Sequence, residues 1–277
     1  MSNQAERAAR ETGRQAKRVA DSRWFELTAR AGYVGSGIVH LLIGYLVVLL
    51  GLGNASSGSE TDQSGALQQL AAVPGGIVLL WVVAVGTAAL TLRLVLEAVV
   101  GGRSDSARGW AARAKDVGKA VAYGAVSYSS ASFALGAGKS SSGSSKSAAA
   151  QALATPGGVF LLLAVAAVAI AIGVGLVVIG CRRSFRKHIV RPPHRLDRPV
   201  TVLAVVGYVG KGFAVVVVGV LVAVAAFRSD PEQATGLDAA FDAVRSLPGG
   251  PVLLVAVGIG FLAYGVWSFF RARFARL

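Results

Sequence analysis

The tripeptide Pro74-Gly75-Gly76 opens a long run of residues that are almost all apolar. It returns twice, and each time another apolar run follows: Pro156-Gly157-Gly158 and Pro248-Gly249-Gly250. Upstream of each tripeptide lies a second apolar run, which begins near a tyrosine: Tyr33, Tyr123 and Tyr208. The chain is therefore one pair of apolar segments written three times.

These runs predict an all-α integral membrane protein. The chain of 277 residues is 54% hydrophobic and 15% charged, and its mean hydropathy is +0.60. A soluble protein of this length needs more polar surface to cover its core, whereas an apolar run of about 20 residues can cross a bilayer. The sequence predicts six transmembrane helices, at roughly residues 31–53, 75–100, 117–137, 157–180, 200–227 and 249–270.

The basic residues predict the orientation of these helices. Twenty-two Lys and Arg residues lie in the N-terminal 30 residues, the connections 101–120 and 181–199 and the C-terminal tail, against four in the other three connections. Because cytoplasmic flanks carry the excess of Lys and Arg, both termini are expected in the cytoplasm. The wealth of Ala, Val, Leu, Gly and Arg suggests a high-G+C bacterial genome, and hence a multi-pass protein of the bacterial plasma (cell inner) membrane.

Each helix pair then begins and ends on the cytoplasmic side, so the three repeats have parallel topology about an expected pseudo-threefold axis. The predicted units are a basic cytoplasmic tail and three helix-pair repeats: residues 1–30, 31–101, 115–181 and 200–277. Two interpretations of the tail stay open. It is either an interfacial helix on anionic lipid or a solvated, partly disordered segment.

A short segment of helical periodicity precedes each tripeptide, as in Leu67, Leu70 and Val73. These segments predict short amphipathic helices on the outer membrane face with their apolar sides down. A proline then ends each short helix and suits the first turn of the next, where its missing N–H is no loss: Pro74, Pro156 and Pro248. The tripeptides are therefore assigned a structural role.

Two glycine-rich motifs surround the repeat tyrosines: Gly32-Tyr33-Val34-Gly35-Ser36-Gly37 and Gly207-Tyr208-Val209-Gly210-Lys211-Gly212. In the middle copy they have drifted to Ala122-Tyr123-Gly124-Ala125-Val126-Ser127. With the three Pro-Gly-Gly corners, this pattern resembles an actinobacterial membrane family, domain of unknown function 1206, in which a transmembrane helix pair occurs three times per chain. The resemblance covers residues 29–277. It implies the fold and carries no assigned activity.

Catalytic and metal-binding motifs are missing from the sequence. There is no Gly-x-Ser-x-Gly, His-Glu-x-x-His or phosphate-binding loop, and His40, His188 and His194 lack metal-ligand spacing. The single Cys181 has no partner for a disulfide or a thiolate site. We therefore expect no enzyme activity, metal or cofactor.

The formal charge of +14 indicates lipid rather than nucleic acid. The basic residues flank the helices, Arg271 and Arg273 among them, and we interpret them as anchors to anionic lipid headgroups on the cytoplasmic side. A nucleic-acid role requires a folded basic surface, and no run outside the six helices is long enough to provide one.

Polar residues at membrane depth are the candidate functional groups, because they are costly there. His40 is either a titrating or ligand-contacting group near the axis or a neutral histidine bonded between helices. Arg93 and Glu97 lie one turn apart and are expected to pair, as a snorkelling arginine with its carboxylate or as a gate charge. Lys211 has the same two interpretations, and snorkelling is favoured.

The third predicted span carries hydroxyl groups on one face. Tyr123, Ser127 and Ser130 follow helical spacing, so this face either binds neighbouring helices or lines a small aqueous cavity.

Two functions remain open at this level. The favoured one is a non-catalytic membrane scaffold or accessory subunit, with a membrane-protein partner or a second copy of the chain. The alternative is a small ion or solute transporter or channel, whose cavity lies on the pseudo-threefold axis beside His40, Ser127 and Ser130. A dry apolar plug on the axis favours the scaffold, and a wet cavity favours transport.

Overall fold

The computed structural model describes residues 23–54, 61–100, 107–190, 193–230 and 237–274, and in these ranges the chain is helical without strands. The predicted tail, residues 1–30, lies mostly outside them. The described part contains nine α-helices: α1 Arg23–Gly51, α2 Gln63–Ala72, α3 Gly76–Val100, α4 Ala107–Ala134, α5 Ser141–Leu153, α6 Gly158–Cys181, α7 His194–Arg228, α8 Leu237–Arg245 and α9 Gly250–Phe274. A 3₁₀ helix, Ser184–His188, joins α6 to α7.

Five of these helices are long and apolar enough to cross a membrane: α1, α3, α6, α7 and α9. The third predicted span corresponds to α4, which begins about ten residues before the predicted 117 and ends at Ala134. Its first half carries charged residues such as Arg113 and Asp116, and its second half is rich in serine. These polar residues lower its hydropathy, so the structure shows five candidate spans where the sequence predicts six.

The six long helices pack side by side in the order α4, α3, α1, α9, α7, α6. The first and third repeats each bring their two long helices together, as α1 with α3 and as α7 with α9. In the second repeat, the described parts of α4 and α6 are at best in marginal contact. The helices α4 and α6 are therefore the two ends of the row, and they do not pack against each other as the other neighbours do.

Glycines allow close packing where neighbouring repeats meet. We call the contact line between two packed helices a seam. In the seam between α1 and α9, the backbone of Gly37 faces Gly265, and Gly44, seven residues further along α1, faces Gly258. The seam between α7 and α6 uses an equivalent position, since Gly212 stands four residues after Tyr208 as Gly37 does after Tyr33, and it faces Gly173. Small residues let helix backbones approach closely in membranes, so the repeat fixes the same contact twice.

The three Pro-Gly-Gly corners share one geometry. The first glycine of each is left-handed, with φ of 78°, 82° and 76° at Gly75, Gly157 and Gly249, a conformation that glycine adopts without strain. The second glycine begins the long helix and carries no Cβ because one would overlap a carbonyl oxygen of the preceding short helix. The prolines stand two residues before the helix start, so the prediction that they enter its first turn is wrong.

The short helices α2, α5 and α8 form a layer over one end of the bundle, which we call the cap. Leu67 of α2 and Phe241 of α8 are buried in one apolar cluster with Val47 and Leu254 of the long helices. The sequence predicted these apolar faces against the membrane surface, but in α2 and α8 they pack on the protein itself. The apolar ends of the long helices, with Val47 and Leu254, are therefore the surface that buries these side chains.

Hydrogen bonds join the cap helices to one another. The backbone N–H and the hydroxyl of Thr61, just before α2, donate to the Asp238 carboxylate of α8 over 2.7 and 3.1 Å. The N–H of Ser141 in α5 donates to the Ser64 hydroxyl of α2 over 3.1 Å. Asp62 caps the N-terminus of α2 by accepting from Ser64 and Gly65. The cap is therefore a connected layer across the three repeats.

Candidate functional site: a polar column and a cavity

We call the side chains of His40, Lys211, Tyr264 and Arg271 the polar column. It begins at His40, in the middle of α1. The His40 Nδ1 lies 2.7 Å from the carbonyl oxygen of Ser36, and the His40 Nε2 lies 2.8 Å from the Lys211 Nζ. Because a carbonyl only accepts, Nδ1 carries the ring proton and Nε2 accepts from the lysine. His40 therefore contacts α7 through Lys211, as in the second of the two interpretations that the sequence left open, and a titrating role stays a prediction.

Lys211 of α7 points to the interior of the bundle. Its Nζ lies 4.5 Å from the ring centroid of Tyr264 in α9, and the His40 ring lies 4.8 Å from the same ring. The favoured prediction of snorkelling to the membrane edge is therefore wrong for Lys211. The lysine has a nearby hydrogen-bond acceptor and an aromatic face, and both stabilise an ammonium group away from water.

Arg271, near the end of α9, extends the column. Its guanidinium carbon lies 4.5 Å from the ring centroid of Tyr33, and Arg271 lines one cavity together with Tyr123, Tyr208 and Tyr264. Three of these are the repeat tyrosines, which the sequence treated as structural markers. The repeat thus places one tyrosine from each of α1, α4 and α7 around a single cation.

Sequence reasoning missed Arg271 by treating it as a headgroup anchor. The signal was available in the repeat itself. Glu97, Ile179 and Arg271 all stand 23 residues beyond the proline of their own corner, so Arg271 is an exception to the repeat as His40 is. Tyr264 gave no comparable signal, because its role depends on the packing of α9 between α1 and α7.

A cavity of about 250 Å³ adjoins Arg271 where α4 and α6 stand apart. Residues from α4, α6, α7, α9 and the 3₁₀ segment line it: Lys119, Tyr123, Leu176, Ile179, Ser184, Phe185, Ile189, Tyr208, Tyr264, Trp267 and Arg271. Most of these walls are aromatic or aliphatic. The Lys119 Nζ, at the α4 side, pairs with the Asp116 carboxylate at 3.3 Å.

Aromatic contacts fix the wall of the cavity opposite α4. Phe185 stacks on Tyr208 with 5.7 Å between centroids and meets Trp267 edge-on at 5.1 Å. Trp267 is completely buried. Its indole N–H lies near the Tyr208 hydroxyl but makes no hydrogen bond of acceptable geometry in the described structure. This leaves a buried donor beside the cavity, which is uncommon in folded proteins.

The predicted serines of α4 lie elsewhere. The Ser127 hydroxyl donates to the Ala84 carbonyl of α3 over 2.8 Å, and the fully buried Ser130 donates to Val126 in its own helix. They bind helices and do not line the 250 Å³ cavity. A second cavity, of about 440 Å³, has other hydroxyl groups of α4 along its wall: Tyr128, Ser129 and Ser132.

Arg93 is partly buried on α3 and has an interaction partner. The side chain of Glu97 lies outside the described residues, so the Arg93–Glu97 pair stays a prediction. Within the described residues, no group of three His, Cys, Asp or Glu side chains is placed to hold a metal ion.

Comparison with known proteins gives the repeat an independent basis. The family model described as Domain of Unknown Function (DUF1206) matches residues 31–101, 114–183 and 206–275. A protein of Bacillus subtilis (strain 168), described as uncharacterized protein YxxB, is 24% identical over 260 residues, which is 92% of each chain. No solved structure gives a significant match. With three copies of this domain along most of its length, the chain belongs to the DUF1206 family.

Proposed function

We propose that this protein is a non-catalytic scaffold or accessory subunit of the bacterial plasma membrane. The observation that carries the proposal is the closed end of the bundle under the cap. Beyond His40 in the direction of the cap, α1 contributes buried Ile43 and Val47 to an apolar cluster that also holds Leu67 and Phe241. A conducting path requires polar groups or water along its length, whereas the side chains of this cluster are all apolar.

The proposed topology has six spans, with α4 as the sixth and both termini in the cytoplasm. Two observations support α4 as a span: it packs along α3, and its Ser127 bonds to the α3 backbone. The distribution of Lys and Arg supports the orientation. The cap then faces the periplasm, and the cavity beside Arg271 opens near the cytoplasmic side.

A reporter fused after Leu277 tests this orientation. We expect cytoplasmic activity, such as fluorescence of a protein that matures only there, and no activity from an alkaline phosphatase fused at the same place. A second fusion within residues 101–106 should give the same pattern. Phosphatase activity at either site would overturn the orientation.

A membrane-protein partner or a second copy of the chain belongs to the proposed role. Of the five apolar helices, α6 is the least covered by the rest of the protein, and it exposes large apolar side chains such as Phe160 and Val168. Such a face is covered by lipid or by another membrane helix, and a partner helix seated on it would agree with the scaffold role.

Transport is the second candidate, and the polar column supports it. His40, Lys211 and Arg271 lie within the bundle, and a cavity reaches Arg271 from one side. A one-sided cavity becomes a transport path only if the cap and the apolar cluster open.

Flux measurements decide between the two candidates. Proteoliposomes containing the full chain are expected to show no pH-driven flux of Na⁺, K⁺ or chloride above that of empty vesicles, at pH 6, 7 and 8. His40→Ala should be equally silent. Flux that the wild type supports and His40→Ala loses would replace the scaffold with a transporter.

A further inference from the structure

From the cavity beside Arg271 we infer a binding site for the headgroup of an anionic phospholipid, with Arg271 as the residue that contacts the phosphate. The inference deepens the proposed function and rests on its topology, which puts the cavity at the level of the cytoplasmic headgroups. It does not depend on whether the protein transports anything.

The positive charge in the cavity favours an anionic ligand. Arg271 contributes a guanidinium, and within the described residues no carboxylate makes an ion pair with it. Lys119 already has Asp116 as its partner, so among the described lining residues Arg271 is the cation without a carboxylate beside it. Tyrosine hydroxyl groups and ring faces orient a guanidinium but do not neutralise it, and an uncompensated cation in apolar surroundings is costly.

Three residues with hydrogen-bond donors line this cavity. Arginine presents a planar set of N–H groups that suits two phosphate oxygens. The hydroxyl of Ser184 lines the same cavity, and the buried indole N–H of Trp267 lacks a partner of good geometry. A phosphate bound in the cavity would offer several acceptor oxygens to these groups.

The shape of the site indicates a lipid as the source of the phosphate. The cavity, at about 250 Å³, is at the small end of the range for ligand pockets, so it suits a headgroup without its acyl chains. The chains require an apolar exit, and the separation of α4 and α6 provides one, with Leu176 and Ile179 on its α6 side. A soluble phosphate has no use for this side opening.

The repeat explains why the site occurs once. In the first and third repeats, the two long helices of the pair pack together, which leaves no cleft at the equivalent place. In the second repeat the cleft is open. The equivalent residue on α6 is Ile179, which adds no charge of its own to offset Arg271. The weak contact between the described parts of α4 and α6 and the guanidinium without a described carboxylate partner therefore lie at the same point.

The experiment uses the full chain, purified in detergent and stripped of lipid, with binding measured by native mass spectrometry. We expect one dioleoyl phosphatidylglycerol to bind in preference to dioleoyl phosphatidylcholine. In Arg271→Gln the affinity for phosphatidylglycerol should fall at least about tenfold. The matched control is Arg273→Gln, which removes the same charge two residues away from an exposed position that does not line the cavity, and its affinity should be unchanged.

A second variant keeps the test valid if Arg271→Gln does not fold. Ile179→Glu places a carboxylate on the α6 wall, where it pairs with Arg271 and takes the place of the phosphate. We expect normal folding and a loss of phosphatidylglycerol binding similar to that of Arg271→Gln.

Three results would overturn the inference: equal affinity for the two lipids, equal loss in Arg271→Gln and Arg273→Gln, or undiminished binding in Ile179→Glu. Competition identifies the source of the phosphate. If inorganic phosphate or glycerol 3-phosphate displaces the lipid at micromolar concentration, the ligand is a soluble anion and the lipid assignment fails. Flux in proteoliposomes is a separate readout, so the scaffold role and the lipid site fail independently.

Discussion

Gly76→Ala should lower the free energy of unfolding by about 3 kcal/mol, at the upper end of the usual cost of overpacking. Gly76 is the second glycine of the first corner, and a Cβ there would overlap the carbonyl oxygen of Leu70 at the end of α2. Neither the Leu70 carbonyl nor Gly76 moves easily, because α2 is hydrogen-bonded to the other cap helices and Gly76 begins α3. Unfolding by SDS in mixed micelles, followed by circular dichroism, measures the change.

Gly175→Ala is the matched control. Gly175 also lies in a long apolar helix, but nothing stands within 4 Å of the position that its Cβ would take. Alanine is the better helix former by about 1 kcal/mol, so this variant should be neutral or more stable. A Gly76→Ala protein as stable as Gly175→Ala would show that the corner relaxes freely, and the close fit of cap to long helix would then be wrong.

The corner is the part of the fold that the sequence predicts best. Pro-Gly-Gly occurs three times, and each copy encodes a local event that needs no distant partner: a short helix ends, one glycine turns with positive φ, and the next helix starts at the other. The threefold repeat and the resemblance to the family were both inferred from this motif together with the tyrosine-centred motifs. The position of the proline relative to the helix start was the one detail predicted wrongly.

The packing of the helices is less visible in the sequence. Lys211 stands in the first half of an apolar run, from which a long lysine side chain can extend to the membrane edge, and only the position of His40 on another helix shows that it turns inward. Arg271 resembled an anchor for the same reason. Its true surroundings are the repeat tyrosines, and their convergence requires the arrangement of α1, α4, α7 and α9 to be known.

The weak hydrophobicity of α4 was visible in the sequence, but its consequence was not. The serines singled out there bind α3 and their own helix, and the open side of α4 faces the cleft instead. Whether α4 packs against α6 depends on both helices and on their neighbours. The residue pattern of one segment therefore cannot predict the cleft between them. The sequence therefore predicts part of the candidate site. It singles out His40, Lys211 and Tyr123 as polar residues at membrane depth, but it does not predict the cavity beside Arg271.

Phe241→Ala is expected to lower the free energy of unfolding by about 3–5 kcal/mol, the range for truncating a buried phenylalanine. Phe241, in α8 of the cap, is 2% exposed and meets Phe261 of α9 edge-on, with 6.2 Å between ring centroids. If the cap helices rested on lipid instead, acyl chains would fill the space left by the ring, and the cost would be small. The variant thus measures what the apolar side of the cap touches.

The same substitution on α6 provides the control. Phe160 is 77% exposed and faces outward from a helix that the rest of the protein covers little, so Phe160→Ala should cost less than about 1 kcal/mol. Equal losses in the two variants would mean that the cap does not seal the bundle. The apolar cluster beneath it would then not close the bundle, and the main support for a scaffold over a transporter would be removed.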